Sequence, residues 1–204
     1  MTENNAVFRS VSQALHVSFL MATLPVTQRG NTQALVERLM EDAGVRKDVQ
    51  RDGTLNFAGL SPMEVRGQCA MVRGAVDHHC QPIERAAIHA WFIPTRETSG
   101  SRGQDPLKVA AIVALSEHCA GHFTVEGETA RKMIVGQQHW QGAARDICTE
   151  RAIATMFALS QSTVHRNIVA VSKVCTLLRR RGMDALEPMF TRDGLIGDDE
   201  ARAA

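Results

Sequence analysis

The chain has 204 residues, of which 44% are hydrophobic and 22% are charged. These proportions are ordinary for a folded globular protein with one large or two small domains. Aromatic residues make up only 4% and tyrosine is absent, so the core must be built from Ala, Val, Ile, Leu and the nine Met. Because Ala, Leu and Met favour helices and no segment alternates with a period of two, we predict an all-α fold. No apolar run is long enough to span a membrane.

Phe8–Leu24 has apolar residues at helical spacing, and Pro25 is expected to end that helix. A second helix is predicted over Asn31–Ala43, with Gly44 after its end. The polar stretch 45–60 is interrupted by glycines and is predicted to be a loop.

A strong helix start follows at Ser61-Pro62-Met63-Glu64. Ser61 is a good N-cap, Pro62 suits the first helical position, and Glu64 completes a capping box. The helix that begins here is expected to extend to about His79.

Pro82 opens a further short helix, which Pro94 ends. The segment 95–105 is rich in Ser, Gly and charged residues, which is typical of a linker. We therefore predict a helical N-terminal region over 1–94 that makes partner or dimer contacts, and a helical C-terminal domain over 106–204.

Within the C-terminal domain, Asp105 is expected to cap a helix over 107–123. Glu126–Gln141 is predicted to be helical despite Gly136. The last predicted helix is a short one over Met183–Phe190.

The net charge of +1 conceals an uneven distribution along the chain. From Arg145 to Arg181 there are seven basic and two acidic side chains, a balance of +5. From Gly182 onward there are two basic and six acidic side chains, a balance of −4. A basic block before an acidic tail fits a module that faces phosphates, although it also fits a solvated helix with a charged tail.

The basic block coincides with the segment 149–182, which is predicted to form two helices joined by a tight turn. Ala154 is small enough to let the two helices approach closely. Ala158 occupies the turn position where glycine is usual, and a positive φ there would cost about 1 kcal/mol. Ser160 is placed to cap the second helix. This is the layout of a helix-turn-helix that places its second helix in the major groove of DNA.

The predicted second helix divides into a buried and an outer side. Residues expected in the shared core are Phe157, Leu159, Val164 and Ile168. Val169 lies at or near the outer side, and four polar residues there are assigned to base readout: Gln161, Ser162, His165 and Arg166. Gln pairs with adenine and Arg with guanine, and a histidine contact would depend on pH. Residues assigned to phosphates are Ser160, Thr163, Lys173, Arg179, Arg180 and Arg181.

The pattern S-Q-S-T-V-H-R-N-I, Ser160 to Ile168, resembles the recognition helices of many bacterial repressors and of sigma-factor region 4. The Arg cluster after a long helix is closer to the sigma type. Chain size and a single sigma-like motif also resemble the phage Q-type late-gene antiterminators. That resemblance implies a phage or mobile-element regulator that binds double-stranded DNA and RNA polymerase. One branch of that family carries paired Cys-x-x-Cys zinc motifs, so the zinc-free branch is implied here.

Other functional classes find less support in the sequence. The five cysteines (Cys69, Cys80, Cys119, Cys148 and Cys175) form no Cys-x-x-Cys pair, and no signal peptide is recognised, which predicts reduced thiols in a cytoplasmic protein. His118 and His122 lie one helical turn apart, beside Cys119. Together with Cys80 or His79 from another helix they are the candidate ligands for a metal ion. We predict no metal, no cofactor and no enzymatic activity, since phosphate-loop and nucleophile motifs are absent. A helical adaptor that binds only proteins is the alternative to a DNA-binding regulator.

Overall fold

A computed structural model describes residues 6–23, 60–95, 105–140 and 148–197. Within these ranges the regular structure is helical, apart from one isolated bridge between Phe8 and Ile196, so the all-α prediction is confirmed. The described helices are α1 (Val11–Thr23), α2 (Pro62–His79), α3 (Pro82–Phe92), α4 (Pro106–His118), α5 (Glu128–His139), α6 (Glu150–Met156) and α7 (Gln161–Arg192), with a 3-10 turn at Ala120–His122. The predicted helix Asn31–Ala43 and nearly all of the loop 45–60 lie outside the described residues.

The chain divides into two compact units, and the first comprises residues 1–80 and 183–204. Here α1 packs against α2, which contributes buried side chains at helical spacing: Val65, Cys69, Val72 and Val76. Arg73 Nη1 donates to the Ser18 carbonyl at 2.7 Å and links the two helices. Phe8, fully buried, donates its backbone N–H to the Leu195 carbonyl at 2.9 Å.

The second unit comprises residues 81–182 and holds the segment 149–182. In it α3 packs on α4, α4 on α5, and α5 on α6. A first core cluster joins α3, α4, α5 and α7 through Ala86, Ala87, Ala90, Ala111, Ile112, Leu115, Cys119, Val135, Val171, Cys175 and Leu178. A second core cluster joins α5, α6 and the start of α7 through Val125, Ala130, Ile134, Ile153, Ala154, Val164 and Ile168.

Helix starts follow the local signals in the sequence. Ser61 Oγ accepts from the Glu64 N–H at 3.3 Å, and Glu64 Oε2 accepts from the Ser61 N–H at 2.6 Å, which forms the predicted capping box. The helix ends at His79, as predicted. Asp105 Oδ1 accepts from the Leu107 N–H at 2.9 Å and caps α4.

The predicted break before Met183 is wrong, because α7 continues without interruption from Gln161 to Arg192 and includes Pro188. Gly182 does not end the helix; it lets α3 come close. A Cβ added there would lie 2.8 Å from Ile88 Cδ1, a fully buried atom of α3. The glycine thus serves packing between helices.

The two compact units are not bounded where the sequence predicts the domains to be. The helix before segment 96–104, α3, packs against the helix after it, α4, and both belong to unit 2. Most of the predicted linker 95–105 lies outside the described residues, so the division at that point stays a prediction. No disulfide joins any of the five cysteines, all of which are buried. None of the described helices is both long and apolar enough to cross a membrane.

Candidate nucleic-acid interface

Helices α6 and α7 are joined by a turn over residues 157–160. The Leu159 N–H donates to the Ala154 carbonyl at 2.9 Å, and the Ala158 N–H reaches the Thr155 carbonyl at 3.5 Å. This pair of bonds is the Schellman pattern, which satisfies the last carbonyls of a helix and reverses the chain. The short helix α6 is therefore closed by its own backbone before α7 begins.

Ala158 has φ of +53°, the left-handed conformation that the Schellman pattern requires at this position. Among the described residues it is the only non-glycine with a positive φ. Its Cβ makes this conformation cost about 1 kcal/mol relative to glycine. The turn is thus kept by the packing around it at a local cost in backbone energy.

Ser160 begins α7 as its N-terminal cap. Its Oγ accepts from the Thr163 N–H at 3.1 Å and lies 3.0 Å from Ser162 Oγ and 2.8 Å from Thr163 Oγ1. The hydroxyls of these three residues form one exposed polar cluster at the leading end of the helix. The capping prediction for Ser160 is confirmed.

One side of the α6–α7 pair is buried, and it holds the residues expected there. Val164 is fully buried, Ile168 and Ala154 are buried, and the half-buried Phe157 and Leu159 pack against the same second cluster. The core prediction for this segment is therefore confirmed. Burial of this side fixes which side of α7 is turned outward.

The outward side of α7 is polar and basic. Gln161, Ser162, His165 and Arg166 are all exposed. The helical repeat continues this side along the helix through Val169, Lys173, Leu177 and Arg180, all exposed as well. From Gln161 to Gly182 the chain carries five Lys or Arg residues and no acid. An anion would therefore meet a net positive charge on this side of the helix.

His165 is already engaged by an acid. Its Nδ1 lies 3.0 Å from Oε1 of Glu150, and Glu150 is the first residue of α6. Both side chains are partly exposed. This contact orients the imidazole and occupies its Nδ1. The Nε2 atom is then the ring nitrogen that can hydrogen-bond to another molecule. It also places one carboxylate next to the basic side of α7.

Asn167 makes buried hydrogen bonds that were not predicted from the sequence. Its Oδ1 accepts from the Thr124 N–H at 2.8 Å, while Nδ2 donates to Thr124 Oγ1 and to the Thr163 carbonyl, each at 2.8 Å. Asn167 is 2% exposed, so these bonds satisfy the whole amide in the interior. These bonds attach α7 to Thr124 in the segment that precedes α5, and so they fix which side of α7 faces outward. A polar residue on the buried side of an amphipathic helix was the available signal.

Arg179 differs from the other predicted phosphate contacts. Its guanidinium carbon lies 3.8 Å from the ring centre of Trp91 on α3, a cation–π contact with a half-buried side chain. Lys173, Arg180 and Arg181 are exposed. The Arg179 guanidinium is therefore held against Trp91 within unit 2, and its contact with a phosphate stays a prediction.

Distance along α7 separates the remaining bases. At 1.5 Å per residue, Lys173 lies about 18 Å and Arg181 about 30 Å from Gln161 along the helix axis. The major groove is about 12 Å wide. A groove that holds the first two turns of α7 therefore brings Lys173 near its edge but leaves Arg180 and Arg181 well beyond it.

Two buried titratable side chains, Lys108 and His139, lie elsewhere in unit 2. Lys108 is fully buried, with Nζ 2.6 Å from the Ile93 carbonyl, and burial lowers its pKa to about 7 while Asp105 opposes the shift. His139 packs edge-on against Trp91, and neither of its ring nitrogens has a hydrogen-bond partner among the described residues. Burial, with Lys108 and Arg179 nearby, lowers its pKa to about 3, so it is neutral at pH 7.

The metal candidate is not assembled in the described part of the chain. His118 and His122 are exposed while Cys119 is fully buried, and no group of three described metal-binding side chains lies close enough to hold an ion. Cys119 instead lies in the first core cluster, which also contains Cys175 of α7.

No model of a known protein family matches the chain, and no curated protein matches it at a significant level.

Proposed function

We propose that this protein is a sequence-specific DNA-binding transcription regulator, in which α6 and α7 form a helix-turn-helix and α7 is the recognition helix. The observation that carries the proposal is the exposed polar start of α7 on a helix whose opposite side is buried. A rigid helix end with outward Gln and Arg side chains is what base readout in the major groove requires.

Base readout is assigned to the first turns of α7. Arg166 can donate two bonds to guanine, and Gln161 can exchange two bonds with adenine, each worth about 1–3 kcal/mol of discrimination. Ser162 and the Nε2 edge of His165 supply single hydrogen bonds. Glu150 opposes phosphates close to this surface and so favours one orientation of the duplex.

Phosphate contacts are assigned to the hydroxyls of Ser160 and Thr163 and to Lys173. Arg180 and Arg181 contribute positive potential at longer range, because about 30 Å of helix separates Arg181 from Gln161. RNA polymerase as a second partner, and antitermination as the mode of action, are proposed on the sequence resemblance alone.

A helical protein adaptor is the second candidate, and one observation favours it. Val169 and Leu177 are 41% and 51% exposed on the outward side of α7, where a partner protein would cover them. A protein partner of that kind would bind α7 without any need for nucleic acid.

Titration of a fluorescent random-sequence duplex with the full chain separates these candidates. We expect the duplex to bind, and we expect the logarithm of the binding constant to fall linearly with the logarithm of the salt concentration, because each phosphate contact releases a counterion. Lys173→Ala should reduce that slope by about one, and Arg181→Ala should reduce it by less. Both variants remove one positive charge from an exposed site, so they are matched controls. Absence of duplex binding at low salt would favour the adaptor.

A further inference from the structure

The contact between His165 and Glu150 lies directly above the second core cluster. Ile153, one turn after Glu150 on α6, is fully buried in that cluster. Val164, the residue before His165 on α7, is fully buried in the same cluster. Apolar packing therefore holds together the two helices that carry the pair. The 3.0 Å distance between Nδ1 and Oε1 is set by this packing more than by the weak attraction of an exposed pair.

The carboxylate determines which nitrogen of the imidazole carries a proton. A carboxylate only accepts hydrogen bonds, so the ring nitrogen that faces Glu150 must be a donor. A neutral imidazole has one donor and one acceptor nitrogen. With the proton on Nδ1, Nε2 of His165 keeps its lone pair and accepts. The His165 side chain is 60% exposed and that of Glu150 is 28% exposed, so the imidazole is the group that an incoming molecule meets.

We propose that Glu150 is a positioning residue for base readout: it holds neutral His165 in the Nδ1–H form, and Nε2 accepts a hydrogen bond from the amino group of an adenine or a cytosine. This inference rests on the proposed function of α7. His165 lies four residues after Gln161, about 6 Å along the axis, within a groove about 12 Å wide. In that groove only the amino groups of adenine and cytosine donate, whereas guanine and thymine present acceptors that would oppose the Nε2 lone pair.

Glu150→Gln changes the hydrogen-bonding role of this side chain at nearly constant size. The glutamine amide can donate to Nδ1, so the proton of the neutral ring can move to Nε2. Nε2 is then a donor and no longer accepts from a base. Glu117→Gln is the matched control, because it removes the same charge from an exposed site of unit 2 and should leave His165 unchanged.

Nitrogen NMR of the full chain tests the first step without DNA. At about pH 8.5 imidazoles are ordinarily neutral and carboxyl groups ionised, and the chemical shifts of the two ring nitrogens show which one carries the proton. We expect the proton of His165 on Nδ1 in the wild type and in Glu117→Gln, and a shift of the proton towards Nε2 in Glu150→Gln. A proton on Nε2 in the wild type overturns the inference, and so does an unchanged spectrum of His165 in folded Glu150→Gln.

Duplexes that lack one amino group test the second step. Selection at the same pH with the wild type and His165→Ala identifies the base pair whose preference His165 sets. At that pair, adenine is replaced by unsubstituted purine, or cytosine by its analogue with hydrogen in place of the amino group. The affinity of the wild type should fall about two- to tenfold, the effect of one hydrogen bond. His165→Ala and Glu150→Gln should lose much less, because neither makes that bond with the normal base.

The outcomes distinguish failure of this inference from failure of the proposed function. If the wild type enriches no sequence, the proposed function fails and the inference fails with it. If the wild type enriches a consensus that His165→Ala retains in full, base readout by α7 stands and the inference is overturned. The same holds if removal of the amino group weakens the wild type and His165→Ala equally. The wild-type NMR spectrum gives its answer even if a variant fails to fold.

Discussion

Ala158 combines a left-handed backbone with a side chain that disfavours it. Replacing it with glycine removes the clash of the Cβ, and we expect Ala158→Gly to raise the free energy of unfolding by up to about 1 kcal/mol. Because residue 158 is on the turn and not on the outward side of α7, DNA affinity should change little. Urea unfolding followed by circular dichroism measures the first effect.

Ala110→Gly serves as the control for that substitution. Ala110 is exposed within α4, where the same exchange should lower stability by about 1 kcal/mol. Equal losses in the two variants would contradict the role assigned to the φ of Ala158.

Lys108 makes stability depend on pH in the alkaline range. Its folded pKa of about 7 lies below the ordinary value of 10.5, so between these values the unfolded chain binds more protons than the folded one. The free energy of unfolding should therefore rise with pH over this window, by at most about 1.4 kcal/mol per pH unit, and the lysine destabilises the fold below it. Urea unfolding at a series of pH values measures the slope.

Lys108→Met keeps an unbranched buried side chain but removes the titrating amine. The free energy of unfolding of this variant should therefore not show the rise with pH that Lys108 causes. His139 acts in the same direction at lower pH, with stability lost as pH falls from 6.5 towards 3, and it stays in both proteins. Parallel curves for the wild type and Lys108→Met between pH 7 and 10 would show that the buried amine is not the cause.

Helix boundaries were predictable where the signal is local. The capping box at Ser61 and the cap at Asp105 depend on side chains within three residues of the backbone they bind. The packing role of Gly182 within α7 depends on Ile88, which is remote in sequence, and no local pattern contains it. Burial of Lys108 depends in the same way on the Ile93 carbonyl and on Trp140. The exposed and buried sides of early α7 were predictable, because helical spacing alone determines them.

Two glycines in helices test the distinction between packing and propensity. Gly182→Ala should lower the free energy of unfolding by about 1 kcal/mol or more, because the clash with Ile88 outweighs the gain in helix propensity. Gly67→Ala in α2, where an added Cβ meets nothing within 4 Å, should raise it by about 0.5–1 kcal/mol. Thermal unfolding of both variants gives the comparison, and stabilisation by both would contradict a packing role for Gly182.

The molecule as a whole concentrates positive charge on one helix while its net charge stays at +1. Unit 2 contains the α6–α7 pair and the Asn167–Thr124 contact that positions it. The proposed readout and the contact that aligns it thus belong to one compact unit. Overall composition and net charge give no sign of this arrangement, which appears only when the charges are assigned to sides of helices.

Selection of bound sequences from a pool of random duplexes, performed with the wild type, Arg166→Ala and Lys173→Ala, tests the central claim most directly. We predict that the wild type enriches a defined sequence and that Arg166→Ala loses the preference for one base pair. Lys173→Ala should keep the same consensus at reduced affinity, since phosphate contacts position the protein without reading sequence. Failure of the wild type to enrich any sequence, or an unchanged consensus and unchanged discrimination in Arg166→Ala, would contradict base readout by the start of α7.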